Sequence, residues 1–355
     1  MLDELTLNEK IGQMMIVGID GNTINSRIKK LILNHKVGGF ILYKKNFNSY
    51  DDMLKLIRCL KNLNSSNKVP LFIAIDQEGG RVNRMPTEIH NLKNAYTISK
   101  SKNINVVKES ADIIGTILEE SGFNINFSPV LDVLGKETDN SIGNRCYGDT
   151  PEEVSKYGVQ IMKQLQKHKI ISVIKHFPGQ GASKVDSHYL LPRIKNIDEK
   201  QVKPFVDAIN QGADVMMVGH MIINEISRFT PASLSKKLID KIRHNYNYKG
   251  IIMTDDLKMR AVRYLYGAKG SVKKAFLAGN DLVLFRFKKN DEEKCIKYIQ
   301  KIAKTGKISE QKINQSVTKI LAIKQKYEIN DKKEINGCNI DEINSRIDKV
   351  NSFVN

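Results

Sequence analysis

A chain of 355 residues, 41% hydrophobic and 27% charged, is long enough for one large core and has the make-up of an ordinary globular protein. It has no run of about 18 apolar residues that would span a membrane. The net charge of +18 raises nucleic-acid binding, but the lysines are spread through the chain without a dense basic block, and there is no Trp. No nucleic-acid or membrane partner is therefore expected, while a basic surface favours acidic ligands such as carboxylated sugars. The N-terminus M-L-D-E-L-T-L-N-E-K lacks the basic and apolar regions of a signal peptide. Cys59, Cys146, Cys295 and Cys338 show no C-x-x-C spacing and read as reduced thiols. A cytoplasmic monomer is expected.

In chain order, eight apolar runs of strand length stand out: Met14–Val17, Phe40–Tyr43, Leu71–Ile75, Asn126–Val130, Ile171–Ile174, Val215–Val218, Ile251–Met253 and Leu282–Phe285. Segments of helical period separate them. After Thr150-Pro151-Glu152-Glu153, a capping box with Pro at the first helical position, Val154, Tyr157, Ile161, Met162 and Leu165 form one stripe. Ser309 is placed to cap a helix with stripe Ile313, Val317, Ile320 and Leu321. Strands alternating with helices predict a parallel sheet, and eight such units predict an α/β fold, a single (β/α)₈ TIM barrel, over residues 1–329. The rival is a doubly wound sheet, but no G-x-G-x-x-G follows the first strand. Residues 330–355 read as a polar linker and a tail or peripheral helix.

In a barrel of this kind the site lies at the C-terminal ends of the strands. The polar residues that follow the runs form one set: Asp76, Glu78, Arg81 and Arg84; Asp132, Asn144 and Arg145; Lys175, His176, Asp186 and His188; His220; Asp255 and Asp256; and Arg286. The first strand ends Val17-Gly18 without the H-x-H pair of metal-dependent barrel hydrolases, so neither a metal nor a cofactor is expected. Gly79-Gly80 offers only a weak phosphate signal. Two-carboxylate sugar chemistry suits the set, with Asp255 placed as nucleophile and either a carboxylate or a His as acid/base, His188 oriented by Asp186 being a candidate dyad. Blander roles are assigned to several residues. Glu78 and Arg81 are expected to brace the rim as a buried salt bridge. Asp132 reads as structural, and Asp256 as capping or bracing its loop. His220 is divided between site and core.

The stretches D-Q-E-G-G-R-V-N-R (Asp76–Arg84), K-H-F-P-G-Q-G (Lys175–Gly181), D-S-H (Asp186–His188) and T-D-D-L-K-M (Thr254–Met259) resemble glycoside hydrolase family 3. The closest subgroup is the β-N-acetylglucosaminidases of peptidoglycan recycling. L-T-L-N-E-K-I-G-Q-M, G-G-F-I-L-Y and N-F-S-P-V-L-D-V also fit, and the likeness runs from about Leu5 to Tyr327. It implies a retaining mechanism through a covalent glycosyl-Asp255, with His188 as acid/base and Asp186 as its partner. Asp76, Arg84, Arg145, Lys175 and His176 match substrate-binding positions. The substrate implied is GlcNAc-MurNAc or GlcNAc-anhydroMurNAc. The alternatives are a β-glucosidase, a GlcNAc phosphorylase and, from another class, a non-catalytic sugar-binding protein. Gln180 departs from the second His of the usual K-H-F-P-G-H-G, and it cannot titrate.

Overall fold

The structure is a computed structural model that describes residues 1–135, 142–181, 192–286 and 291–354. Eight strands form one parallel sheet. They are β1 (Met15–Gly18), β2 (Gly39–Leu42), β3 (Phe72–Ile75), β4 (Ile125–Asn126), β5 (Ile171–Phe177), β6 (Val215–Val218), β7 (Ile251–Thr254) and β8 (Val283–Phe285). β8 pairs with β1, Met15 opposite Val283. At the other edge a parallel bridge between Met253 and Leu282 joins β7 to the start of β8. The sheet is therefore a closed (β/α)₈ barrel, which rules out the doubly wound alternative. Every residue of these strands is buried, as a barrel covered by helices on the outside and filled by side chains on the inside requires.

Two strands differ from their apolar runs by more than one residue at an end, for identifiable reasons. β4 stops at Asn126 because Pro129 has no N–H for the ladder; Val130 makes only an isolated bridge to Lys175. β5 continues past its apolar run through Lys175 and His176 to Phe177. Its register against β6 shifts between Ile174 and Phe177. The irregularity falls on the two charged residues, and it is the kind of break that re-aims side chains at the rim of a barrel. A two-residue parallel ribbon, Arg193–Ile194 with Ile222–Ile223, ties together segments that follow β5 and β6.

The helix Pro151–Lys167 starts where expected, with Thr150 Oγ1 accepting from Glu153 N. The reciprocal half of the box goes elsewhere: Glu153 Oε2 accepts from Asp149 N at 3.1 Å. Ser309 is the N-cap of helix Glu310–Lys326 but makes no side-chain cap bond. The 330–339 segment is strapped to the barrel and not free in solvent. Asp331 is buried and accepts from Leu71 N at the foot of β3 and from Asn64 Nδ2. Beyond it, helix Ile340–Ser352 buries Ile343, Ile347 and Val350. Its Asn344 bonds to His90 N and Glu88 O, and its Asn351 to Lys93 N and Asn91 O. The tail therefore holds the loop that follows β3.

Candidate active site

The C-terminal strand ends open into a cavity of about 450 Å³. Its lining includes Tyr43, Asp76, Glu78, Arg84, Arg145, Lys175, His176, Gln180, Asp255, Asp256 and Arg286. All five residues predicted to bind substrate, and Asp255, are thus brought together from β3, β5, β7 and the segment after β4. Asp186 and His188 lie outside the described residues.

The loop after β3 is gripped before it carries any chemistry. Asn126, at the end of β4, accepts from Gln77 N at 2.9 Å and donates to Gln77 O at 2.9 Å, which fixes both main-chain groups. Gln77 Oε1 in turn accepts from Arg84 N at 2.8 Å. Gly80 makes the turn with φ +57°, and a Cβ there would lie 2.5 Å from Asn94 Cβ, so only glycine fits. Its N–H donates to Leu92 O, within the loop held by the tail helix. Gln77 and Asn126 were not singled out from sequence; nothing local marks a side-chain amide that serves a neighbouring strand.

Glu78 is the hub of the charged cluster. Its two oxygens accept from Arg145 Nε and Nη2, both at 2.8 Å, in a side-on pair. Lys175 Nζ lies 2.6 Å from Glu78 and 2.9 Å from Asp76. Burial opposes ionisation of Glu78, but Arg145 and Lys175 outweigh it and hold the carboxyl well below the usual range. The bracing role expected of Glu78 holds, but its partner is Arg145; Arg81 instead donates to Ile142 O. Two of the three Arg145 nitrogens are committed to Glu78, so its role toward a ligand is shared with rim bracing.

Asp132 also reaches beyond bracing. It is fully buried and lies 2.8 Å from His176 Nδ1, and it accepts from Gln180 N at 2.6 Å. A carboxylate can only accept, so Nδ1 carries the proton and the imidazole is fixed in place. Gln180 fills its position in the loop with Nε2 buried and without a hydrogen-bond partner among the described residues. His220 is fully buried, bonded to Ser233 Oγ at 2.6 Å and Asp256 O at 3.1 Å, and it also acts on Asp255, so it serves both the core and the site.

Asp255 and Asp256 are adjacent yet driven apart. For Asp255, burial is outweighed by His176, His220, the Asp256 N–H at 2.7 Å and Lys175, and its carboxyl is held below the usual range. For Asp256, burial prevails, the charge of Asp255 adds to it, and the carboxyl is pushed up to about 6. Asp256 Oδ1 also accepts from Lys258 N and Arg286 N, the bracing expected of it. Two neighbouring carboxyls with opposed environments give one group that stays ionised well into the acid range and one that keeps its proton until about pH 6. Among the described residues no group of three or more His, Cys, Asp or Glu could hold a metal ion.

The Asp256 shift has a stability consequence. A carboxyl whose pKa is raised on folding holds its proton in the native state between about pH 4 and pH 6 while the unfolded chain releases it, so the native state loses stability as pH rises through that window. Asp256→Asn lacks this slope. Relative to the wild type it should gain about 1–3 kcal/mol between pH 4 and pH 7. Urea unfolding at the two pH values measures this, and an unchanged difference would refute the assignment.

A closed parallel barrel whose C-terminal rim gathers a buried carboxylate held ionised and a lattice of hydrogen-bonding charges has the layout of a barrel-enzyme cleft open to a polar ligand. Comparison with known proteins makes the class specific. Residues 6–323 match the glycosyl hydrolase family 3 N-terminal domain, and the chain belongs to that family. It is 29% identical over 334 residues to β-hexosaminidase A of Pseudoalteromonas piscicida, covering 86% of this chain and 56% of that protein. It is 28% identical over 282 residues to a β-hexosaminidase of Xylella fastidiosa, covering 76% and 82%. Its fold superposes with TM-score 0.93 and 30% identity on a family 3 β-N-acetylglucosaminidase from Paenibacillus sp. str. FPU-7, over 99% of this chain and 69% of that one. The chain thus spans just over half of the first of these relatives.

Proposed function

We propose that the protein is a retaining β-N-acetylglucosaminidase that removes terminal β-linked GlcNAc through a covalent glycosyl-Asp255 intermediate. The observation that carries this reading is the Asp255 carboxyl: buried in the cavity, kept ionised by His176, His220 and Lys175, and surrounded by groups suited to sugar hydroxyls. Asp76 accepts hydroxyl protons, while Lys175, Arg84, Arg145 and His176 donate. His188 acts as acid/base with Asp186 as its orienting partner, on the strength of the D-S-H motif. The substrates in this reading are GlcNAc-MurNAc or GlcNAc-anhydroMurNAc fragments from peptidoglycan recycling. Four free thiols support a reducing, cytoplasmic compartment. No helix among the described residues is long and apolar enough to cross a membrane.

The reading is tested first by turnover of aryl β-GlcNAc against aryl β-glucoside, with and without phosphate. Hydrolysis of the GlcNAc glycoside in phosphate-free buffer is expected; preference for the glucoside, or a requirement for phosphate, would overturn it. The same substrates isolate His188. An acid/base acts twice, protonating the leaving group and then deprotonating water. His188→Gly should lower kcat/KM by about 10²–10⁴-fold on a natural disaccharide, and only modestly on dinitrophenyl β-GlcNAc, whose leaving group hardly needs the proton. The covalent intermediate should then accumulate as a burst and be released by azide. Equal losses on both substrates without azide rescue would leave the acid/base unassigned.

A further inference from the structure

Arg286 follows β8 directly, and its seat is built. A Cβ at Gly18, the end of β1, would lie 2.3 Å from Arg286 Cγ and 2.6 Å from its Cδ, so the glycine leaves the space that the arginine stem fills. The guanidinium carbon lies 4.2 Å from the centroid of the Tyr43 ring, and the main-chain N–H is held by Asp256 Oδ1 at 3.3 Å. Arg84 reaches the same ring at 6.0 Å. The other cavity cations, Arg145 and Lys175, are neutralised by Glu78 and Asp76. Arg84 and Arg286 make no direct ion pair among the described residues, Asp256 reaching Arg286 only through its main-chain N–H and its charge, and the Nε of each is buried without an acceptor there. Two guanidiniums over one ring repel each other, and buried N–H groups without acceptors cost free energy that the ring alone does not return. An oxyanion answers both terms, since the planar fork of arginine matches a carboxylate or phosphate.

We propose that Arg286, seated between Gly18 and Tyr43, forms with Arg84 an oxyanion subsite that takes a carboxylate or phosphate group of the ligand. This rests on the reading of the cavity as a sugar-hydrolase site, and it makes Arg286 a specificity-determining residue of that site. The glycine closing β1 and the arginine opening the loop after β8 act as one unit, although 267 residues separate them along the chain of 355.

The test compares charged and neutral ligands on the intact protein. Three probes separate the sources of the anion: 3-carboxy-4-nitrophenyl β-GlcNAc against 4-nitrophenyl β-GlcNAc for a carboxylate on the leaving group, 4-nitrophenyl β-GlcNAc 6-phosphate for a phosphate on the sugar, and inorganic phosphate as a free anion. The wild type should favour at least one anionic probe. Arg286→Gln should lower that anionic-to-neutral kcat/KM ratio by about 10- to 100-fold, the range of charge-assisted hydrogen bonds. Arg286→Lys, which keeps the charge but not the fork, should retain part of it and serves as the second variant if Arg286→Gln folds poorly. An anionic-to-neutral ratio that is the same in wild type, Arg286→Gln and Arg286→Lys for every probe would overturn the subsite. If no glycoside is turned over, the hydrolase reading fails, and calorimetric binding of GlcNAc 6-phosphate and inorganic phosphate tests the subsite alone. Binding weakened about tenfold or more in Arg286→Gln upholds it, and binding that is absent or unchanged refutes it.

Discussion

Asp255→Asn is expected to lower kcat by on the order of 10⁴-fold or more, the scale on which enzymes lose rate when a covalent nucleophile is removed. The substitution is nearly isosteric, and the Asn Oδ1 still accepts from Asp256 N, so the loop should keep its shape. The loss therefore belongs to bond formation at the sugar, and kcat and kcat/KM should fall together while KM moves little. A second consequence follows from the neighbouring carboxyl. The charge of Asp255 is one of the causes that push Asp256 up to about 6. Without it Asp256 should titrate lower, visible by carboxyl NMR or infrared titration of the variant. A variant that keeps wild-type kcat would remove Asp255 from the reaction.

Glu78→Ala is expected to be the most damaging single change to the scaffold of the site. Glu78 is buried and satisfies Arg145 through two 2.8 Å bonds and Lys175 through a 2.6 Å contact. Removing one member of such a cluster leaves buried cations uncompensated, at a cost of about 3–5 kcal/mol. Lys175 retains Asp76, but Arg145 loses its only ion pair among the described residues, and KM should rise along with the loss of stability. The pH dependence has a defined sign. The folded Glu78 carboxyl is held well below its ordinary value of 4.5, so its contribution is fully present above pH 4.5 and is lost as pH falls through the folded value. The stability gap between wild type and Glu78→Ala should be widest near neutrality and should narrow below about pH 4.5 in denaturant titrations. A gap independent of pH would show that the cluster does not act through the charge of Glu78.

The barrel was legible in the sequence because its strands are buried on both faces. Each becomes an apolar run that needs no alternation to be seen, and eight of them with helical segments between leave few other architectures. What escaped was set by contacts remote in sequence. β5 runs on through Lys175 and His176 because the barrel rim offers these charges Glu78, Asp76 and Asp132, which lie in other loops. Glu78 was expected to pair with nearby Arg81, but its partner Arg145 is 67 residues away. Asn126 looks like the polar end of a strand until its amide is seen holding Gln77. The 330–339 segment looked solvated because its composition is polar, yet Asp331 serves an N–H at the foot of β3. In the site, positions after strands placed Asp76, Arg84, Arg145, Lys175, His176 and Asp255 in one wider polar set, and the family resemblance picked out the five substrate-binding positions within it. Tyr43 was read only as the end of an apolar run. Its ring takes on a role only when β2 and β8 bring it beneath Arg286.

If Asp255 forms the bond to the sugar, that bond can be trapped. A mechanism-based fluorosugar of the GlcNAc series slows release of the glycosyl-enzyme, and peptide mass mapping then locates the adduct. One sugar per chain is expected, carried on the carboxylate of Asp255 and absent from Asp255→Asn. An adduct on Asp256 or Asp132, or none at all in an enzyme that turns over the parent glycoside with retention of configuration, would contradict it.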